Sequence, residues 1–309
     1  MKTVTKWTTI TITSACLIVM FLMIKPFLLS TNGTFGPTIL QSQSPGAAIA
    51  AMLATMAVGT FIACLVSRLL TTKEVMLIDV FVRLPASTKD IFDPRESRAS
   101  TRSTGTSMLI LGLGLGWTAL QLESVQTVIL DGSMGLLAAE GIAWALILLV
   151  IAFIVCRFGG VFITPMQNDD GIEDDWAMSP AALKMAASGV CVLPVVWLVA
   201  QSPMKGQVLA ATIIGATAAG LVGRLLAPTV QPILLFASVC VFGALGQWVA
   251  GFMLPTDLAA VVASNQLPNI VLPLPIDYAA GSLIGVPIGI AWANGFLEKD
   301  DTTNQAATA

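Results

Sequence analysis

The run GIAWALILLVIAFIV at residues 141–155 contains no charged side chain. Extended to residues 134–156 it contains a single charged residue, Glu140, and as an α-helix it would be about 34 Å long. The hydrocarbon core of a bilayer is about 30 Å thick, and roughly 20 apolar residues cross it as a helix. We therefore predict that this stretch spans a membrane.

The composition of the whole chain supports the same environment. Hydrophobic residues make up 56% of the 309 residues and charged residues only 11%. Soluble domains contain about 25% charged residues, so the predicted partner of most of this surface is the lipid bilayer. The net charge of −3 and the lack of a recognisable motif exclude a basic nucleic-acid-binding protein. Histidine does not occur, which excludes histidine-ligated haem and a Ser–His nucleophile.

Seven further apolar runs have a similar length and composition. The eight predicted spans are residues 8–24, 47–66, 107–122, 134–156, 183–200, 208–226, 233–254 and 278–297. They predict an all-α fold, a polytopic transmembrane helical bundle. The first run follows Lys2 and Lys6 as a signal peptide would, but no small-x-small cleavage site comes after it. We interpret it as an uncleaved anchor.

The distribution of Lys and Arg predicts the orientation of the bundle. If the N-terminus is cytoplasmic, thirteen of the 15 basic residues fall on the cytoplasmic side, and only Lys25 and Lys205 fall on the other. The positive-inside rule favours this arrangement. Eight spans then place both termini in the cytoplasm, and we predict a multi-pass protein of a plasma or inner membrane.

Two kinds of similarity within the chain indicate a duplication. The pentamer GIAWA occurs at residues 141–145 and again at 289–293. The second and sixth spans align without gaps, with nine identities in the twenty positions 51–70 and 207–226. We infer two four-helix repeats. A unit with an even number of spans starts and ends on the same side, so the repeats are predicted to be parallel and related by a pseudo-two-fold axis along the membrane normal.

The inferred repeats divide the chain into three parts. These are a first membrane repeat at residues 1–157, an acidic cytoplasmic linker at 158–181, and a second membrane repeat with a short polar tail at 182–309. The first repeat includes the basic cytoplasmic loop 71–105, a candidate docking site for a protein partner. Within this loop we predict an interfacial helix at 75–85 and a polar, mobile segment at 93–107.

Small residues recur every four positions in the second and sixth spans. Positions four apart share one face of a helix, and small side chains there allow two helix backbones to approach closely. The residues predicted to pack in this way are Gly59, Ala63, Gly215, Ala219 and Gly223. We predict that the second and sixth spans are packing helices and that they contact each other near the axis.

Three charged residues in or beside the spans are candidates for a functional role. Glu140 is the only acidic residue well inside a span, at a depth where a carboxylate costs about 2.5–3.5 kcal/mol on insertion scales. It is a candidate proton or ion site, and the alternative is a neutral acid that only bonds to a neighbouring helix. Arg68 and Arg224 match between the repeats. We interpret them as orientation anchors at cytoplasmic helix ends rather than as substrate ligands.

The sequence predicts no catalytic residue, metal site or cofactor, and enzyme activity is left open. The acidic loop NDDGIEDD at residues 168–175 holds five carboxylates in eight residues. It departs at Ile172 from the NDxxDxxxD pattern with which membrane prenyltransferases bind magnesium, so we interpret it as a solvated loop. The five cysteines lie in or beside apolar runs and form no CxxC, which is typical of buried free thiols.

Two functions remain open from the sequence. A duplicated bundle with one buried carboxylate favours a carrier for a small solute or ion, with the path between the two repeats. The alternative is a non-transporting membrane subunit or scaffold that docks a partner through the basic loop 71–105. Sparse charge inside the spans is compatible with both functions.

Overall fold

In the computed structural model the backbone is described for residues 19, 22–28, 38–39, 42, 44–71, 94–130, 134–159, 162–163, 179–255, 257–264 and 266–308. Side chains are described for the same residues except 63–71, 94–103, 159 and 298–308. Over this part of the chain the secondary structure is helical and includes no strand. The all-α prediction is therefore confirmed.

The described part of the chain contains ten α-helices. In chain order they are α1 (Pro45–Thr71), α2 (Pro94–Gln121), α3 (Val125–Leu130), α4 (Met134–Ile154), α5 (Pro180–Ala187), α6 (Val192–Val199), α7 (Lys205–Leu226), α8 (Ile233–Met253), α9 (Leu258–Ala263) and α10 (Pro275–Thr308). A π-helical turn, Val155–Gly159, extends α4. A 3₁₀ turn, Ser188–Cys191, joins α5 to α6 without a loop.

Local sequence signals account for where several of these helices begin and change geometry. The side chain of Ser179 accepts a hydrogen bond from the N–H of Ala182 at the start of α5, and Asp257 accepts one from Ala260 at the start of α9. Both are N-caps that satisfy a free backbone donor. Pro194 has no N–H to donate to the preceding turn, which explains why 3₁₀ geometry precedes α6.

Six helical segments of the described chain are long and apolar enough to cross a membrane: Pro45–Ile62, Met134–Phe158, Pro180–Val199, Lys205–Leu226, Ile233–Met253 and Pro275–Leu297. They also expose large apolar side chains, such as Phe252 at 73% and Trp292 at 62% of their surface. Lipid accommodates such side chains and water does not. The chain is therefore a multi-pass membrane protein in contact with the bilayer.

Two of the eight predicted spans are not among these six. The first, 8–24, lies mostly outside the described residues. The third, predicted at 107–122, is part of a helix, but α2 begins at Pro94, within the segment predicted to be mobile. Residues 94–107 are therefore helical, because an apolar helix already formed at 107–121 can be extended backwards without a new nucleation step. Their mobility stays a prediction. The predicted interfacial helix 75–85 lies outside the described residues.

The most extensive helix contact joins α7 to α10, which run in the same direction. Small residues face each other along this contact at a constant offset: Thr212 with Gly281, Ala216 with Gly285, and Gly220 with Gly289. We call these six residues the glycine seam. A Cβ on Gly289 would meet the carbonyl of Thr217 and lie 2.6 Å from the amide nitrogen of Leu221. The two backbones are thus in direct contact, as in small-xxx-small pairs of membrane helices.

Two further extensive contacts connect the two halves of the chain. Helix α4 packs antiparallel on α8, with Gly141 against Ala244 and Met134 against Gly251. Helix α2 packs antiparallel on α10, where Gly112 lies against Ile284. We name the two ends of the bundle the Lys205 end, where α4, α7 and α10 begin, and the Arg224 end, where α7 finishes.

The predicted contact between the second and sixth spans is wrong for the described residues. Helix α7 packs mainly on α10 and α6, whereas α1 packs mainly on α2 and on the π-helical turn after α4. The small faces of α1 and α7 therefore have different partners. The inferred duplication maps α4 onto α10 and α2 onto α8, so the α4–α8 and α2–α10 pairs correspond to each other. It also maps α1 onto α7 and therefore predicts that α1 packs on α4 as α7 packs on α10, but no α1–α4 pair is among the extensive contacts of the described residues. The repeat, like the division into 1–157, 158–181 and 182–309, stays a prediction.

The glycine seam predicts that Gly289→Ala destabilises the protein by about 1–3 kcal/mol, the usual effect of overpacking. The added methyl group would meet backbone atoms of α7, which cannot turn away. Gly295→Ala on the same helix is the control, since a Cβ there meets nothing within 4 Å. Thermal unfolding in detergent should show a lower midpoint for Gly289→Ala only. Equal midpoints for both variants would contradict close contact at the seam.

Candidate functional site

The buried charged and amide side chains of the described residues lie near the two ends of the bundle. At the Lys205 end they include Glu140 on α4, Gln247 on α8, and the pair formed by Lys205 and Asp277. At the Arg224 end, Arg224 is the buried charged residue. In lipid, each of these groups must find a partner inside the protein or carry a cost of several kcal/mol.

Glu140 lies six residues into α4, about 9 Å from the start of the helix. Its side chain is only 5% exposed. The indole N–H of Trp144, one turn further on, donates to Oε1 at 3.4 Å. The backbone amide of Ile39, from the chain before α1, also approaches the carboxyl group. Helix α4 thus holds Glu140 beside the contact that its neighbour Gly141 makes with Ala244 of α8.

The second carboxyl oxygen of Glu140, Oε2, is buried and has no hydrogen-bond partner. An unpaired buried acceptor is costly, and a charged one is more so. Protons and small cations are the ligands that can reach and satisfy such an oxygen. The site therefore offers one buried carboxylate oxygen, within a membrane span, to which a proton or a small cation can bind.

Gln247 on α8 is fully buried and forms a second polar position at the Lys205 end. Its amide nitrogen donates to the backbone carbonyl of Pro273, in the segment before α10. Its amide oxygen, Oε1, is buried without a partner. The nearby Tyr278 ring packs flat against Gly243, one turn from Gln247, and its hydroxyl donates to the carbonyl of Ile270.

Lys205 and Asp277 form an ion pair with a separation of 2.9 Å between Nζ and Oδ2. Asp277 is fully buried, whereas Lys205 is 15% exposed. The carboxylate also accepts the N–H of Leu274 at 2.7 Å, which closes the first turn of α10. The hydroxyl of Thr212 donates to the Asp277 carbonyl. Both carboxylate oxygens of Asp277 have a partner, so the ion pair fixes the start of α10 on α7.

Arg224 lies in the last turn of α7, where an orientation anchor was predicted, but its side chain is only 5% exposed. Its Nε donates to Oδ1 of Asn294 on α10 at 2.8 Å, and Nη1 is buried without a partner. Arg224 therefore reaches across to α10, which is not the exposed geometry expected of a snorkelling side chain. Its role as an anchor stays a prediction. The side chain of Arg68 lies outside the described residues.

The predicted packing residues of α7 face the segment that joins α5 to α6. A Cβ on Gly215 would lie 2.8 Å from the side chain of Val192, and one on Gly223 would lie 2.6 Å from the hydroxyl of Ser188. That hydroxyl donates to the carbonyl of Ala219 at 2.9 Å. Gly59 is buried in α1. The Ala63 side chain lies outside the described residues.

Three groups in the structure were not predicted from the sequence. The sequence GSLIGVPIG (281–289) has glycines at every fourth position, and these form the α10 side of the glycine seam. This spacing would have allowed the seam to be predicted. The ion pair joins residues 72 positions apart, which no local pattern predicts. Gln247 is one uncharged residue in an apolar run, so its burial could be seen only from the packing of α8 on α4 and α10.

The ion pair predicts that Lys205→Met costs about 3–5 kcal/mol, because it leaves the buried Asp277 carboxylate without a cation. Asp277→Asn should cost less, because an amide is neutral and Lys205 already has some exposure. Lys184→Met is the control, since Lys184 is exposed on α5. Unfolding midpoints in detergent should rank the three variants in that order. A midpoint for Lys205→Met equal to that of the control would show that the pair contributes little.

No group of three or more metal-ligating side chains, Asp, Glu or Cys, occurs among the residues that the structure describes. Comparison of the chain with known protein families, with curated proteins and with solved structures finds no match. The interpretation of the site therefore depends on its own geometry, and on Glu140 in particular.

Proposed function

We propose that the protein is a carrier for a small solute or ion and that Glu140 is its proton or ion site. The supporting observation is the buried carboxylate oxygen of Glu140 that has no partner inside a membrane span. Intramembrane acidic residues are expensive to insert, and they commonly belong to ion pathways and proton relays. The other buried ionic group at the same end, Asp277, is fully paired and has no such position free.

The position of Glu140 relative to the two halves of the chain also supports this proposal. Its neighbour Gly141, on α4 of the first half, contacts Ala244, on α8 of the second half. A path between the two proposed repeats would therefore run beside the Glu140 carboxyl group. In carriers built from repeats, substrate and coupling-ion sites lie at such an interface.

The orientation of the carrier follows from its basic residues. Lys205 belongs to the sparsely basic side of the predicted topology, and Arg224 belongs to the side with thirteen Lys and Arg residues. The positive-inside rule then places the Arg224 end in the cytoplasm, together with both termini. Glu140 is closer to the Lys205 end, and would exchange its proton or ion with the outer solution.

The carrier proposal predicts that Glu140→Gln abolishes pH-dependent flux. Proteoliposomes containing the purified protein and a pH-sensitive dye would be exposed to a panel of small solutes under an imposed pH gradient. The wild type should acidify or alkalinise the lumen with at least one class of solute, because loading Glu140 is coupled to transport. The amide variant has the same shape and cannot exchange a proton, so its signal should equal that of empty liposomes.

Glu123→Gln is the matched control for this experiment. Glu123 lies in the turn between α2 and α3, outside the spans, and its replacement should leave the flux unchanged. Unfolding midpoints of both variants verify that the protein is intact. A Glu140→Gln variant that transports at the wild-type rate would disprove the role of this carboxylate.

A membrane scaffold is the second candidate, supported by the length of α2. This helix begins at Pro94 and continues without a break to Gln121. Its 28 residues make it about 42 Å long, more than the roughly 30 Å of the hydrocarbon core. The excess at its start includes Arg95, Arg98 and Arg102. A basic helical extension at the end of the loop 71–105 is suited to docking an acidic partner.

The scaffold proposal predicts that replacing Arg95, Arg98 and Arg102 together by Gln releases a partner that co-purifies from native membranes. The helix should persist, because Gln and Arg have similar helix propensities. The control is Arg157→Gln, an exposed basic residue in the π-helical turn after α4. Mass spectrometry of the purified material measures the partner. If the same proteins co-purify with the triple variant and with the wild type, docking through this segment is contradicted.

A further inference from the structure

We propose that Gln247 completes the Glu140 site and that a single proton is held between Oε2 of Glu140 and Oε1 of Gln247. This inference rests on the proposed function and names the coupling ion, a proton, together with the residue that accepts its hydrogen bond. Gln247 is a positioning residue in this account, because it acts through the Glu140 carboxyl group.

The two oxygens share one property. Among the described residues, they are the two buried side-chain oxygens without a hydrogen-bond partner. Both are acceptors, so neither can satisfy the other while Glu140 is ionised. One proton on Oε2 turns that atom into a donor, and a single O–H···O bond then removes both unpaired acceptors. An unpaired buried acceptor is destabilising.

The packing of α4 on α8 brings the two side chains to the same level. Gly141 meets Ala244, and the helices run antiparallel. Glu140 is one residue from Gly141 toward the Lys205 end, and Gln247 is three residues from Ala244 in the same direction. At 1.5 Å per residue the two positions differ by about 3 Å along the helix axes. Gln247 shares a face of α8 with Ala244, because residues three apart lie together on a helix.

The amide of Gln247 has a defined orientation. Its nitrogen donates to the carbonyl oxygen of Pro273, and exchanging the amide atoms would place two oxygens in contact there. The amide oxygen must therefore be the free atom. The Trp144 N–H donates to Oε1 of Glu140, and Oε2 has no partner, so an acceptor facing Oε2 would complete the hydrogen bonding of the protonated group.

A proton fits this site better than a metal ion. Calcium and magnesium take about six or more oxygen ligands, whereas the described residues provide two free oxygens here. Release of the proton breaks the O–H bond of Glu140 and transfers the proton to water at the Lys205 end. The carboxylate that remains keeps the Trp144 N–H as its donor.

The other titratable groups on the helices packed around Glu140 already have an ionic or hydrogen-bond partner or lie further from the Lys205 end. Asp277 is paired with Lys205, and the Tyr278 hydroxyl donates to Ile270. Cys240 is a buried free thiol on α8, one turn further from the Lys205 end than Ala244. The segment 38–39 and the facing residues of α8 from Gly243 to Gly251 add no other titratable side chain. Glu140 is therefore the carboxyl group without an ionic partner.

Infrared spectroscopy of the protein in liposomes, recorded over a pH series, tests this inference. The wild type should show a C=O stretching band of a protonated carboxylic acid that Glu140→Gln lacks. Gln247→Met, which has similar length and no acceptor, should shift that band to higher frequency. Gln201→Leu, at an exposed glutamine, should leave the band unchanged.

Several results would overturn the inference. An acid band in Gln247→Met identical to that of the wild type would mean that Gln247 does not touch the proton. Stabilisation by sodium or potassium ions that is lost in Glu140→Gln would identify a metal cation instead. If flux depends on Glu140 but the band ignores Gln247, the carrier stands and this inference fails. If the band behaves as expected while Glu140→Gln transports normally, the proton site stands and the carrier fails.

Discussion

Direct contact between the backbones of α7 and α10 is the interaction on which the rest of the bundle depends. Within a membrane no hydrophobic force drives one helix onto another, so dispersion between closely fitted surfaces has to hold them. Glycines at every fourth position of α10 provide that fit. Once α10 is fixed to α7, its other faces receive α2 and α8, and α8 in turn receives α4. Glu140 is placed by the last of these contacts.

The same lack of water explains how the polar groups are arranged. Asp277 accepts bonds from Lys205 and from the Leu274 backbone, and the hydroxyl of Ser188 donates to carbonyls of α5 and α7. Against this background of satisfied groups, the exceptions among the described residues are the unpaired oxygens of Glu140 and Gln247 and Nη1 of Arg224. The two oxygens are the buried acceptors for which we propose a proton as the ligand.

The sequence was a good guide to the environment and a poorer guide to the contacts. The apolar run that contains Trp144 predicted a spanning helix because length and hydropathy alone determine membrane insertion. The depth of Glu140 followed from the same count. The partner of Gly215 did not, because a small face predicts close approach without saying to which helix. Gln247 could not be found from the sequence at all, since an uncharged side chain in an apolar run gains meaning only from what surrounds it.

Polar bonds near both ends of the α7–α10 pair have a mechanical consequence. Lys205 with Asp277 ties one end, and Arg224 with Asn294 ties the other. Sliding α10 by one residue, or rotating it about its axis, would break both polar contacts. It would also bring Gly289 into collision with the backbone of α7. We therefore expect α7 and α10 to move as one rigid unit. In the proposed carrier, a rearrangement that exposes Glu140 to each side of the membrane in turn would therefore move α4 along α8 and leave the α7–α10 pair intact.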